Sequence, residues 1–165
     1  MKCEFAKWKQ DKDQILQVEN ACFPKNMASD EDDLADTFKD RKSLCLVLKD
    51  KDEIIGYISS APLEKRSYKD YDGVKQDANY KKHNTLYVES IAIIPRYRGI
   101  KSLYLLFQTF INEAKKQNYK FLTHHTRTDN DLADVVMKKL NAELVSKHHN
   151  WFGWGETFQY IRVIL

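Results

Sequence analysis

The sequence predicts an α/β fold, with a mixed, mostly antiparallel sheet of about seven strands and helices on both faces. Two observations lead to this prediction. Short apolar runs rich in β-branched residues alternate along the chain with segments in which apolar residues recur at helical spacing. Two neighbouring runs are joined by a short charged turn, as in an antiparallel hairpin. The predicted order is one strand, two helices, three strands, a helix, a strand, a helix and two strands.

The composition is that of a globular protein. Of the 165 residues, 42% are hydrophobic and 12% are aromatic, which is too apolar for a disordered chain. This length fits a single domain over residues 1–165. The net charge of +3 is too small for the strong field of a nucleic-acid-binding or membrane-surface protein. We therefore expect neither nucleic acid nor a membrane as a partner.

The cysteines and the N-terminal segment indicate the compartment. Cys3, Cys22 and Cys45 are far apart and odd in number, which argues against a disulfide framework and fits a reducing cytosol. The N-terminal segment lacks the apolar core of a signal peptide, and no stretch approaches the roughly 18 apolar residues of a membrane span. The sequence therefore predicts a cytoplasmic protein.

The N-terminal region predicts one strand and two helices. Residues 3–9 alternate weakly and predict the first strand, and residues 11–22 predict a helix with Asp11 as a candidate cap. The acidic run 29–32 resembles a capping box and starts a second helix that ends near residue 39. This run is either a solvated helix start or an attraction for a cationic substrate, and both interpretations stay open.

A hairpin and a long polar segment follow. Residues 43–49 and 53–61 predict two antiparallel strands joined by a charged turn. Residues 63–84 are almost entirely polar, and a connection of this length in a small domain is uncommon and often functional. A lid over a substrate and a flexible insertion are both open interpretations.

The central stretch predicts a buried strand, a basic turn and a long helix. Residues 86–94 are nearly continuously apolar, and Pro95 ends the strand because it has no N–H group for the ladder. Arg96 and Arg98 lie in the turn. Free N–H groups and the helix dipole make this place a candidate anion site. The apolar residues of the following helix recur at helical spacing: Ile100, Leu103, Leu106, Phe107, Phe110, Ile111 and Ala114.

The C-terminal part predicts three more strands and a helix. Residues 120–126, 144–149 and 157–164 have strand character, and a helix capped by Asp129 or Asn130 lies between the first two of these strands. The aromatic loop 150–155 serves either packing or recognition.

The central motif resembles that of the GNAT superfamily of acyl-CoA-dependent N-acyltransferases. Residues 91–99, Ile-Ala-Ile-Ile-Pro-Arg-Tyr-Arg-Gly, match an apolar strand, a proline and the start of the family's phosphate-binding turn. Arg98 fits the first position of that turn and Gly99 the second. Lys101 stands where the family has glycine, and Leu103 where it has glycine or alanine. The resemblance implies a GNAT-like sheet, with acyl-CoA in the gap between the central strand and the strand after its helix.

The resemblance also implies residues for the cosubstrate, acetyl-CoA. Asn130 matches an asparagine that the family often has near the pantetheine arm, and Met137 stands where the family often has a tyrosine that serves as general acid. The implied cofactor-binding residues are Ile91, Ala92, Ile93, Arg98, Gly99, Ile100, Lys101, Ser102, Leu103 and Asn130.

Acylation of an amine needs a base that removes a proton from the ammonium group. Glu89 is the candidate base, because burial in a strand raises the pKa of a carboxyl group and the position resembles glutamates with this role in the family. The alternative is a structural glutamate paired with an arginine or with Lys101. Tyr87 should share the face of Glu89 and is a candidate substrate-binding residue, or it fills the core. His124 is a second candidate substrate-binding residue, with polar packing as its alternative.

Neither a metal site nor a nucleophilic cysteine is predicted. His124, His125, His148 and His149 lack an established ligand spacing, and no cysteine lies nearby in the sequence. Cys22 and Cys45 stand in apolar surroundings that should raise the pKa of a thiol.

Two functions follow as hypotheses. The first is an N-acetyltransferase that moves an acetyl group from acetyl-CoA to a primary amine. The second is a GNAT-fold binding or interaction module that has lost catalysis and binds CoA weakly or not at all, as Lys101, Leu103 and Met137 would allow. The sequence leaves the acceptor amine open, and it leaves open whether the protein is a homodimer.

Overall fold

The computed structural model describes residues 1–65, 73–129 and 140–165. These residues form seven strands and three α-helices, in the chain order β1 (Lys2–Phe5), α1 (Trp8–Cys22), α2 (Glu31–Phe38), β2 (Leu44–Asp50), β3 (Glu53–Pro62), β4 (Thr85–Ile93), α3 (Ile100–Lys116), β5 (Phe121–Arg127), β6 (Glu143–His148) and β7 (Phe158–Ile164). Among the helices described, none is both long enough and apolar enough to cross a membrane.

The strands form one mixed sheet in the order β1-β2-β3-β4-β5-β7-β6. The pairs β1 with β2, β2 with β3, β5 with β7 and β6 with β7 are antiparallel, whereas β4 and β5 are parallel. In the parallel ladder, Thr85 lies opposite Phe121 at one end and Val88 lies opposite His124 at the other. The prediction of an α/β fold with a mixed, mostly antiparallel sheet of about seven strands is confirmed.

The chain divides into two compact units, and β4 contributes residues to both. The first unit comprises residues 1–61 and 89–114. Its core combines one face of α1 and α2 with side chains from β2, β3 and β4: Trp8, Ile15, Val18, Leu34, Ala35, Val47, Ile54, Tyr57 and Ala92. Burial of these apolar side chains is the main term that stabilises the unit. The prediction of a single domain over residues 1–165 stays a prediction.

The second unit comprises residues 62–88 and 115–165. A small core of Leu63, Val74, Tyr87 and Tyr160 lies within it. Asp77 has a fully buried side chain that accepts a hydrogen bond from the Tyr160 hydroxyl at 2.8 Å and pairs with Arg162 at 2.8 Å. Asp77 therefore docks residues 73–84 on β7. Residues 66–72 lie outside the described residues, and the choice between a lid and an insertion for the long polar segment stays open.

The prediction of a first strand over residues 3–9 is wrong in its extent. β1 ends at Phe5, and α1 begins at Trp8, whose side chain is only 7% exposed in the core of the first unit. The assignment of Asp11 as helix cap is also wrong, because Asp11 lies inside α1. Its carboxylate instead accepts a hydrogen bond from the backbone N–H of Lys7 at 2.7 Å, which supports the same helix end from within.

The predicted apolar face of α3 is correct for its middle and wrong at its start. Leu106, Phe107, Phe110, Ile111 and Ala114 are buried, whereas Ile100 is 82% exposed. The helical spacing of apolar residues thus continues one turn beyond the buried face, into the exposed end of the helix. The predicted helix at Asn130 lies outside the described residues.

The aromatic loop of residues 150–155 packs against the second unit. Trp151 is 7% exposed, and its ring stacks on His125 with centroids 4.3 Å apart. The Trp154 ring contacts the Trp151 ring edge-on and the Phe158 ring at a tilt. The described contacts of these two tryptophans are packing contacts.

Candidate functional site

The basic turn predicted as an anion site lies between β4 and α3. Pro95–Tyr97 forms one turn of 3₁₀ helix, and Arg98 and Gly99 connect it to α3. Two arginines there have different partners. Arg96 pairs with Glu53 on β3 at 2.6 Å, whereas the Nε of Arg98 donates to the Ile93 carbonyl at 2.9 Å. The Ile93 contact fixes Arg98 to the end of β4.

The N-terminus of α3 is open around Gly99. A Cβ atom built on Gly99 meets no heavy atom of the described residues within 4 Å, and Gly99, Ile100 and Lys101 are all exposed. The Leu103 N–H bonds to the Gly99 carbonyl at 3.1 Å, which marks the first helical hydrogen bond. The N–H groups before Leu103 have no partner within the helix. The turn therefore combines a cation, backbone donors and free space, which fits a phosphate group.

The other residues predicted for the cosubstrate differ in exposure. Ile91 and Leu103 are partly buried, whereas Ala92 and Ile93 are buried. Ser102 is 4% exposed, and its hydroxyl lies 3.5 Å from the sulfur of Met1. Asn130 lies outside the described residues.

β3 and β4 approach each other closely at Gly56. A Cβ atom on Gly56 would lie 2.7 Å from the Ala92 carbonyl oxygen, which is closer than Cβ atoms approach other atoms in proteins. Gly56 therefore allows β3 to come close to β4 at the predicted cosubstrate strand, next to Tyr57.

Glu89, the candidate base, is partly buried near the middle of β4. Its Oε2 accepts a hydrogen bond from the hydroxyl of Thr37 on α2. Thr37 is 4% exposed, so the hydroxyl reaches Glu89 from a buried position. The contact orients the carboxylate through one of its two oxygens.

A second buried carboxyl group lies in the same unit. Glu19 on α1 is 2% exposed, and it accepts hydrogen bonds from the Tyr57 hydroxyl and from the backbone N–H of Ser29 at 2.7 Å. The Tyr57 hydroxyl also lies 3.0 Å from the Oγ of Ser90. Burial raises the pKa of Glu19, and the hydrogen bonds from Tyr57 and Ser29 oppose that rise. Burial raises the pKa of Tyr57 well above its ordinary value.

Sequence reasoning missed Glu19, Tyr57 and Thr37. A signal for two of them was present in the periodicity. Glu19 stands four residues after Ile15 and beside Val18, within the apolar stripe of α1, and Thr37 stands three residues after the buried Leu34. A polar residue in an apolar stripe is a buried polar group that needs a partner. No pattern marked Tyr57, which has the sequence context of an ordinary strand residue.

The candidate substrate-binding residues lie in the second unit. The Tyr87 hydroxyl lies 2.8 Å from the Nδ1 of His125, and Tyr87 is only 3% exposed. The Nδ1–H of His124 donates to the Val88 carbonyl at 2.9 Å. Burial lowers the pKa of His124, and the hydrogen bond to Val88 opposes this effect. Both histidines lie inside β5, which extends to Arg127. The substrate-binding role of Tyr87 and His124 stays a prediction.

The described residues show neither an activated cysteine nor a metal site. Burial raises the pKa of Cys3 to about 11 and also raises that of Cys22, where the Arg98 guanidinium opposes the effect. Raised values disfavour the thiolate that a nucleophile needs. In residues 1–65, 73–129 and 140–165, no group of three or more His, Cys, Asp or Glu side chains is placed to hold a metal ion.

The fold is shared with solved acetyltransferase structures. Ribosomal-protein-alanine N-acetyltransferase from Brucella melitensis is 15% identical, with a TM-score of 0.74 over 100% of both chains. The Salmonella typhimurium protein yncA, solved with its cofactor acetyl-CoA, is 18% identical, with a TM-score of 0.74 over 100% of this chain and 94% of that chain. Arabidopsis thaliana NAA60, in complex with a bisubstrate analogue, is 12% identical, with a TM-score of 0.76 over 99% of both chains. These similarities show a common fold.

Sequence comparison gives the family. A search of curated proteins gives no match. The sequence profile of the acetyltransferase (GNAT) family matches residues 12–141, which include most of α1, the basic turn and α3. This match confirms the resemblance inferred from residues 91–99. The chain belongs to the GNAT acetyltransferase family.

Proposed function

We propose that this protein transfers an acetyl group from acetyl-CoA to a primary amine of an acceptor, with Glu89 as the general base. The observation that carries the proposal is the position of Arg98, which is fixed to the end of β4 beside the open N-terminus of α3. Cationic and backbone donors at one helix end are an arrangement suited to a pyrophosphate group.

The cosubstrate side of the proposal uses β4 and the turn that follows it. Arg98, Gly99 and the first N–H groups of α3 would hold the pyrophosphate. The backbone of residues 91–93 would hold the pantetheine arm, as the family resemblance implies. Ile100, Lys101, Ser102 and Leu103 would line the same turn, and Asn130 stays a predicted contact of the arm. Bound acetyl-CoA supplies the thioester carbon that the amine attacks.

The acceptor side of the proposal uses Glu89. Its carboxylate, oriented by the Thr37 hydroxyl, would take a proton from the amine nitrogen. A neutral amine can then attack the carbonyl carbon, because protonation otherwise occupies the nitrogen lone pair. Tyr87 and His124 are further proposed contacts of the acceptor.

Calorimetric titration with acetyl-CoA tests the cosubstrate site. We expect wild-type protein to bind with micromolar affinity and Arg98→Ala to bind at least tenfold more weakly, a loss of about 1.4 kcal/mol. Arg96→Ala is the matched control, because Arg96 carries the same charge two residues away but pairs with Glu53. We expect its dissociation constant to stay within about twofold of the wild-type value.

Equal losses in both variants would point to general charge attraction and would remove Arg98 from the site. Absence of heat, together with no rise in melting temperature at excess acetyl-CoA, would favour the alternative of a binding module without CoA. That alternative is supported by Lys101 and Leu103, which add bulk where the family has small residues. The search for a function would then turn to protein partners.

The acceptor needs a screen of amines. A protein N-terminus, a lysine side chain, a polyamine and an aminoglycoside are all candidates. Peptides with a free α-amine come first, because the fold is shared with a ribosomal-protein-alanine N-acetyltransferase. Release of free CoA in the presence of each amine, measured with a thiol reagent, identifies the class that is accepted.

A further inference from the structure

The buried chain of Glu19, Tyr57 and Ser90 has no role in the function proposed above. The Tyr57 hydroxyl donates to Glu19 and also contacts the Oγ of Ser90, at 3.0 Å. Tyr57 is fully buried and Glu19 is 2% exposed, whereas Ser90 is only partly buried. The chain thus leads from a buried carboxyl group on α1 to a partly exposed position on β4 that directly follows Glu89.

We propose that Glu19, Tyr57 and Ser90 form a proton relay that returns a proton to the sulfur of CoA as it leaves. The proposal rests on the proposed function. Acetyl transfer ends with a thiolate that needs a proton, and Met137 stands where the family resemblance implies a tyrosine donor. A thioether has no proton to donate, so another group has to supply it.

The hydrogen bonds that link Glu19, Tyr57 and Ser90 can run in either of two donor-to-acceptor directions. Tyr57 has one O–H group, which donates to Glu19, so the contact between the two hydroxyls requires Ser90 to donate to Tyr57. This direction fits an ionised Glu19. When Glu19 carries a proton, it donates to Tyr57, Tyr57 donates to Ser90, and the Ser90 hydrogen can donate outward. Burial of Glu19 favours the protonated form and hence the outward direction.

The proposed step balances in atoms and charge. A neutral amine nitrogen forms the C–N bond, the C–S bond breaks, and the electron pair stays on sulfur. The Ser90 proton moves to sulfur, the Tyr57 proton moves to Ser90, and the Glu19 proton moves to Tyr57. Glu89 takes a first proton from the ammonium group and passes it to water before the attack, and it then takes the second proton, which the nitrogen loses as the C–N bond forms. Exchange with water then removes the proton from Glu89 and restores the one on Glu19. In this scheme only Ser90 contacts the sulfur, and Tyr57 and Glu19 act through it.

The test compares turnover with binding in single variants. Acetyl-CoA is mixed with spermidine or with a peptide carrying a free α-amine, and CoA release is followed across pH. We expect Ser90→Ala, Tyr57→Phe and Glu19→Gln each to lower kcat at least tenfold while the dissociation constant of acetyl-CoA stays within about twofold. Ser90→Thr keeps the hydroxyl and should restore most of the turnover. Wild type should lose activity as pH rises through the pKa of Glu19, and Glu19→Gln should lack this limb.

Tyr160→Phe is the matched control. Tyr160 is also fully buried and donates to a buried carboxylate, that of Asp77 at 2.8 Å, but it lies in the second unit and outside the relay. Its loss should cost stability as Tyr57→Phe does and leave kcat and the pH profile unchanged. Infrared spectroscopy gives a readout without turnover: wild type should show the carbonyl stretch of a protonated carboxyl group that Glu19→Gln lacks.

The outcomes separate the relay from the proposed function. Normal kcat in Tyr57→Phe or Ser90→Ala overturns the relay while the acetyltransferase proposal stands. Absence of the infrared band of protonated Glu19 also overturns it. Failure of wild type to bind acetyl-CoA overturns the proposed function, and the relay with it. A fall in kcat of the same size in Tyr160→Phe would show that lost stability explains the effect, which again overturns the relay.

Discussion

Thr37 and Glu89 join helix α2 to strand β4 through a hydrogen bond between a buried hydroxyl and the carboxylate proposed as the base. The two residues are far apart in sequence, yet both belong to the first compact unit. An Oγ donor on one carboxylate oxygen restricts the orientation of the carboxylate.

Replacement of Thr37 by valine removes the hydroxyl and keeps the shape. We expect Thr37→Val to lower kcat for amine acetylation about tenfold with little change in acetyl-CoA affinity, because Glu89 loses its orienting donor. The free energy of unfolding should fall by about 1 kcal/mol, the usual net contribution of a hydrogen bond. Steady-state kinetics and urea unfolding measure the two effects.

Thr37→Ser is the control for this prediction. Serine keeps the donor and loses one methyl group, so turnover should stay within about twofold of wild type. Equal kcat values in the valine and serine variants would contradict an orienting role for the hydroxyl.

The strands and the basic turn could be predicted from sequence because their signals are local. The apolar run before Pro95 and the two arginines after it lie within a few residues of each other, and a buried strand followed by a helix start needs no distant contact. The residues that carry the family resemblance, 91–99, lie within this local pattern and inside the matched range 12–141.

The buried polar contacts could not be predicted in the same way. Glu19 and Tyr57 are 38 positions apart, and Thr37 and Glu89 are 52 apart. Such pairs depend on how the helices lie on the sheet, which a one-dimensional periodicity does not give. A polar residue in an apolar stripe indicates that the residue has a buried polar contact, but it does not identify the partner.

Gly99 offers a test of where the cosubstrate lies. A Cβ atom there meets no protein atom within 4 Å, so nothing in the described structure requires glycine for packing. We expect Gly99→Ala to leave the melting temperature within about a degree, since an exposed substitution of this kind usually has a small effect on stability. Acetyl-CoA binding should weaken at least tenfold, because a methyl group blocks the approach of the pyrophosphate to the backbone.

Calorimetry and thermal unfolding of Gly99→Ala are measured on the same preparation. Unchanged affinity at unchanged stability would show that the ligand does not reach this backbone, and the phosphate-turn interpretation would fail. The Arg96→Ala variant again serves as the control for changes in the turn that do not touch the proposed site.

Asp77 holds residues 73–84 on β7. Its side chain is fully buried, and its partner Arg162 is 12% exposed. We expect Asp77→Ala to lower the free energy of unfolding by about 3 kcal/mol, because it removes the buried partner of Arg162 and leaves the buried Tyr160 hydroxyl without its acceptor. Glu143 is the second partner of Arg162, and its side chain is 61% exposed. Glu143→Ala should therefore lower the free energy of unfolding by less than about 1 kcal/mol. Urea unfolding distinguishes the two, and similar costs would contradict a buried, docked segment.

The pKa of Glu19 predicts how stability depends on pH. Burial raises this pKa above the ordinary value of 4.5, so the folded state binds more protons than the unfolded state once pH exceeds about 4.5. The contribution of Glu19 is therefore fully present below that pH and is lost as pH rises through the folded-state pKa. A tenfold difference in proton affinity between the folded and unfolded states corresponds to about 1.4 kcal/mol of stability.

Glu19→Gln removes this titration and keeps the size of the side chain. The free energy of unfolding of wild type relative to the variant should therefore fall as pH rises from about 4.5 and level off above the folded-state pKa. The neighbouring Tyr57 and Cys22 do not change charge in this window, because burial raises the pKa of both side chains. Urea unfolding of both proteins over a pH series measures the difference. A difference that is constant across the series would mean that Glu19 titrates as an exposed glutamate does, and the buried carboxyl group could not then store a proton.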